Sequence, residues 1–175
     1  PENQTITNNS LMNPMIPTIA GGEIATWEIN ATLPNGITFD SSNGSLYGTP
    51  VELWPTTSYT IWANNSGGSV GATINLTVID EVPTDFVYSP HNLTLTNNTA
   101  SPDLPLIPQL TGPGEIIGWE ISEELPQGLN FNNNTGEISG IPTVLQLTPM
   151  PYTIWANNTG GTISTIINIT IIEVE

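Results

Sequence analysis

The sequence predicts an all-β protein built as two tandem antiparallel β-sandwich domains, and three observations lead there. The chain says nearly the same thing twice, about 92 residues apart: Trp27-Glu28-Ile29 returns as Trp119-Glu120-Ile121, and Leu33-Pro34-Asn35-Gly36 as Leu125-Pro126-Gln127-Gly128. The longest match runs from Tyr59 to Gly68 and again from Tyr152 to Gly161. Apolar residues recur at period two, as strands require, with no helical periodicity. Sixteen prolines and sixteen glycines punctuate these runs with turn signals.

Along the first copy, Thr5 to Ser10 reads as a first-strand segment. Trp27 stands in phase with Ile29, as Trp119 does with Ile121, so both rings are expected in a core. Tyr59, Ile61 and Ala63 share one face of a later strand. The Asn64-Asn65-Ser66-Gly67-Gly68 turn joins that strand as a hairpin to another, in which Ile74, Leu76 and Val78 alternate with Thr73, Asn75 and Thr77. In the second copy Ile167, Ile169 and Ile171 alternate in the same way with Ile166, Asn168 and Thr170. The run Ile163 to Val174 is rich in β-branched residues and is expected to form an open edge strand that a following module or a neighbouring subunit would cover, with a first-strand segment such as Thr5 to Ser10. Ile79-Asp80-Glu81-Val82-Pro83-Thr84-Asp85 follows the last strand of copy one, which sets the domains at 1–82 and 83–175.

Sixteen acidic residues face no lysine or arginine, a formal charge of −16, and this opposes binding to nucleic acid or anionic lipid. Only 9% of residues are charged, so solubility rests on Asn, Thr, Ser and Gly. Cysteine is absent, which removes disulfides, thiol catalysis and cysteine-based zinc sites together. These residues hold no run of 18 apolar residues and no charged-then-apolar leader, so neither membrane insertion nor a targeting signal is expected within them.

The order Trp27, then Leu33-Pro34-Asn35-Gly36-Ile37-Thr38-Phe39, then Asn43-Gly44-Ser45-Leu46-Tyr47-Gly48-Thr49-Pro50, then Tyr59 to Gly68, resembles the putative-Ig, dystroglycan-type cadherin-like repeat family. Leu125 to Phe131, Thr135 to Pro142 and the second Tyr-Thr-Ile run repeat the resemblance, which covers nearly all of the chain. It implies Ig-like β-sandwiches of the kind found as tandem modules in large extracellular and cell-surface microbial proteins, and no catalytic residues. The motif has physical sense: Gly36 and Gly128 permit turn dihedrals, while Phe39 and Phe131 are expected as core anchors. Trp62 and Trp155 depart from the family pattern, which has a small polar or β-branched residue there.

Eleven Asn-X-Ser/Thr acceptors occur, at Asn3, Asn8, Asn30, Asn43, Asn64, Asn75, Asn92, Asn97, Asn133, Asn157 and Asn168. Twenty asparagines with this Ser and Thr content would give about four by chance, and four pairs fall at matching places in the two copies. Heavy N-glycosylation is therefore expected, with Asn75 and Asn168 turned away from the core by strand alternation. Alternation also turns Trp62 and Trp155 outward, making them candidate interface residues or platforms for a sugar.

The resemblance raises calcium, since cadherin relatives hold it with carboxylates at domain junctions, and Asp80, Glu81 and Asp85 sit at this one. The usual cadherin acidic motifs are missing, and Asp40-Ser41-Ser42-Asn43-Gly44 has a counterpart, Asn132 to Gly136, without the carboxylate. A solvated turn is the favoured reading, so no metal site and no cofactor are expected. Catalysis has little to draw on: His91 is the one histidine, and Glu123-Glu124 lie beside a Leu-Pro turn. The expectation is a non-enzymatic, glycosylated structural repeat of a microbial surface filament, stalk or sheath, archaeal in character, whose partners are copies of itself or neighbouring modules. The alternative is an adhesin module that binds a carbohydrate or protein through its loops.

Overall fold

The computed structural model describes residues 2–173, and every regular element among them is a β-strand. Two compact units divide between Asp80 and Glu81. Unit 1 contains β1 (Glu2–Thr7), β2 (Thr26–Ile29), β3 (Ile37–Phe39), β4 (Leu46–Gly48), β5 (Trp54–Asn65) and β6 (Gly68–Ile79). Unit 2 contains β7 (Phe86–Val87), β8 (Asn92–Thr96), β9 (Gln109–Leu110), β10 (Gly118–Ile121), β11 (Leu129–Phe131), β12 (Ile138–Gly140), β13 (Gln146–Asn158) and β14 (Gly161–Ile172).

Each unit is organised around one four-stranded sheet, in the order β1-β6-β5-β2 in unit 1 and β10-β13-β14-β8 in unit 2. The long hairpins form as their sequence requires. β5 and β6 close through Asn65 opposite Gly68, and the Asn65 Oδ1 accepts the Gly67 N–H at 2.8 Å, which fixes the two-residue turn. Short hairpins, β3 with β4 and β11 with β12, supply the second layer. Gly36 (φ +89°) and Gly128 (φ +94°) make the turns into them, and a Cβ at either would fall about 2 Å from the carbonyl oxygen of Thr49 or Ile141.

The sheets are not wholly antiparallel. β1 pairs parallel with β6, and β8 pairs parallel with β14. The expected open edge at the end of the chain is therefore corrected. β14 ends at Ile172, Val174 lies outside the described residues, and the stretch Asn168–Ile172 is flanked by β13 on one side and β8 on the other. In unit 1 the first strand, β1, covers the last strand of its own module, and in unit 2 β8, the second strand, does the same.

The cores lie between the layers. In unit 1 Tyr59, Ile74, Leu76 and Val78 from the sheet meet Ile37 and Leu46 from the short hairpin. In unit 2 Tyr152, Ile154, Ile167, Ile169 and Ile171 meet Leu129 and Ile138. Trp27 and Trp119 are buried as expected. Phe39 and Phe131 are not central anchors: each is half-buried at the rim of its cluster, because it ends a three-residue strand beside an exposed Asx turn.

Candidate functional site

The outer faces of the four-stranded sheets carry Trp62, Trp155 and the asparagines Asn3, Asn64, Asn75, Asn92, Asn157 and Asn168, while Asn43 and Asn133 lie in the turns of the short hairpins and Asn8, Asn30 and Asn97 just past strand ends. Trp62 lies opposite Glu28 on β2 and Gly71 on β6, and Trp155 lies opposite Glu120 on β10 and Ser164 on β14. Both indoles are half-buried rather than open. The pyrrole edge of Trp62 lies against Gly71, where an added Cβ would fall 2.9 Å from its Nε1. Cross-strand hydroxyls continue the polar face, with Thr56 and Thr77 at 2.9 Å.

Asparagines pair across the parallel strands. Asn75 Nδ2 donates to Asn3 Oδ1 at 2.8 Å, and Ser58 Oγ donates to Asn75 Oδ1 at 2.5 Å. Unit 2 repeats this, Asn168 Nδ2 donating to Asn92 Oδ1 at 2.8 Å. Asn3, Asn30, Asn43, Asn92 and Asn133 are exposed, whereas Asn8, Asn64, Asn75, Asn97, Asn157 and Asn168 are half-buried. The sequence did not reveal that acceptors about 75 residues apart stand side by side, Asn3 with Asn75 and Asn92 with Asn168.

The Asp40 loop is closed on itself. Its carboxylate accepts from Ser42 Oγ at 2.6 Å, from the Ser42 N–H at 2.8 Å and from Asn43 Nδ2 at 3.1 Å, and these donors, Ser42 first, hold the Asp40 carboxyl below its usual range. Among the described residues no three His, Cys, Asp or Glu side chains gather as a metal-ligand set, and Asp80, Glu81 and Asp85 form no such cluster. His91 is exposed beside Asn92, 3.0 Å from its Nδ2, and Glu123 and Glu124 are exposed.

One feature of unit 1 has no sequence signature. A groove of about 960 Å³ opens onto Trp27, Gly44, Ile61, Ala63 and Ile74, bounded by the segment from Asn13 to Ile24. In unit 2 Phe86 and Tyr88 share one buried cluster with the corresponding Trp119, Ile154, Ala156 and Ile167.

Comparison with known proteins agrees with this architecture. The model of the family described as "Putative Ig domain" matches residues 1–79 and again 83–172. The "Serine-rich adhesin for platelets" of Staphylococcus aureus is 26% identical over 145 residues, 81% of this chain but 6% of the adhesin; in strain MRSA252 the share of the relative is 10%. The chain thus spans a small part of the curated relatives it matches. Among solved structures, Drosophila OTK extracellular domains 3-5 superpose with a TM-score of 0.53 at 18% identity, covering 100% of this chain and 60% of that one. The titin I-band fragment I67-I69 gives 0.50 at 18% identity, with 100% and 63% covered. Two Ig-like sandwiches, each built on the same repeated motif and each matched over most of its length by one family model, make this chain a member of the putative Ig domain family in two tandem copies.

Proposed function

We propose that this chain is a non-enzymatic stretch of tandem modules from an extracellular, N-glycosylated surface protein of a microbe, archaeal in character, that works by protein–protein assembly in a filament, stalk or sheath. The observation that carries this reading is the duplicated outer face. Trp62 and Trp155 recur at matching register beside acidic residues, and asparagine acceptors recur at matching positions around them. Repetition of a face, rather than of a cleft with reactive groups, suits repeated contact with identical neighbours. A surface without cations also disfavours nucleic acid and anionic lipid as partners. Kinship with dystroglycan-type cadherin-like repeats belongs to this proposal, and calcium binding does not.

The test is light scattering and electron microscopy of the two-module chain beside a Trp62→Ser, Trp155→Ser double variant. The expected result is self-association in the parent that weakens in the variant. Strictly monomeric behaviour of both at high concentration, with native material showing these indoles free of protein and sugar, would overturn assembly. The adhesin reading would then take its place, favoured by the Staphylococcus relative, an adhesin for platelets.

A further inference from the structure

We infer that the groove of unit 1 is the seat of an extended strand that carries two aromatic residues at alternate positions and runs directly into β1. Unit 2 supplies the template. There the segment Phe86-Val87-Tyr88 precedes β8, the counterpart of β1, by a few residues. Phe86 packs edge-on against Trp119 with ring centroids 5.0 Å apart, and Tyr88 Oη donates to the Gly136 carbonyl oxygen at 2.5 Å. The same strand pairs with β9, Phe86 opposite Leu110 and Val87 opposite Gln109.

Every partner of that strand has its counterpart in unit 1, and those counterparts line the groove. Trp27 stands for Trp119, Gly44 for Gly136, and Thr18-Ile19 for Gln109-Leu110. The burial of the shared core positions records the difference. Ile167, Ile154 and Ala156 are 0% exposed, while Ile74 is 9% exposed, Ala63 is 6% exposed and Ile61 is only half-buried. Trp27 and Ala63 do not join the unit 1 cluster, although Trp119 and Ala156 belong to that of unit 2. The groove has the lining that an aromatic-X-aromatic strand meets in unit 2, and the repeat indicates how that strand connects, because β7 reaches β8, the counterpart of β1, through a short turn.

The test extends the 175-residue chain ahead of Pro1 with a copy of Thr84–Ser89 and compares it with the parent and with an extension in which both aromatics are Ala. A synthetic peptide of the same six residues is also titrated into each chain. The expected result is that the aromatic extension raises the lower melting transition by about 5 °C or more. It should also slow amide exchange at Thr18 and Ile19 at least tenfold and abolish peptide binding seen with the parent. The Ala extension should do none of these. No change in melting or exchange with the aromatic extension would overturn the inference. An extended chain that still binds the free peptide as tightly as the parent would show that the strand is supplied by another molecule, which overturns the direct connection to β1.

Discussion

Two aromatic types divide the residue-scale work differently from their places in the motif. Tyr59 and Tyr152 are almost completely buried, whereas Phe39 and Phe131 sit at the rims. Tyr59→Ala should therefore cost about 4 kcal/mol, and Phe39→Ala about half of that. Urea unfolding of the two variants checks the order, and the reverse order would show that the core is misassigned. Gly44, at φ +77°, lies against the Trp27 ring so closely that a Cβ would fall 2.4 Å from Cε3. Gly44→Ala adds a clash to backbone strain and should destabilise unit 1 by about 2–4 kcal/mol, read by the same measurement. Burial raises the Tyr88 phenol well above its ordinary value of 10. Below that value the phenol is neutral folded and unfolded, so its contribution is fully present. As pH rises past it the unfolded chain ionises first, and stability drains away toward the higher folded value. Denaturation of the parent and of Tyr88→Phe between pH 8 and pH 11, as an order-of-magnitude window around the phenol's usual titration, should show a steeper alkaline loss in the parent.

At the scale of elements, alternation told which way side chains face but not which strand lies beside which. Ile74, Leu76 and Val78 point inward as the sequence indicated, as do Ile167, Ile169 and Ile171. The parallel partners β1 and β8 were hidden because pairing between distant segments leaves no mark in local period. β7 and β9 have two residues each, too few for any periodicity to register. The same pairing sharpens the glycan expectation. Asn3 with Asn75 and Asn92 with Asn168 are cross-strand neighbours about 5 Å apart, so a glycan on one member crowds the other. Glycopeptide mass spectrometry of native material should find one sugar per pair at most, and double occupancy within one molecule would refute the crowding argument.

For the whole molecule, the two cores make unequal units out of nearly equal sequences. The duplicated motifs made the tandem architecture legible, but the inequality was not, because it depends on Phe86 and Tyr88, which join the core of unit 2 and whose places in the repeat fall ahead of β1 in unit 1. Calorimetry of the full chain should resolve two transitions, with unit 1 melting first, and its variants should move only the lower one. The parallel joining of β1 with β6 also determines how that module carries tension. In unit 1 the chain enters at Glu2, opposite Ile74, and leaves at Ile79, opposite Thr7, so its two attachment points lie at opposite ends of a six-rung ladder. A pull along the polypeptide slides β1 against β6 and loads all the rungs together, where an antiparallel pair would unzip from one end. A stalk made of such links would hold firm under drag until a whole ladder fails at once.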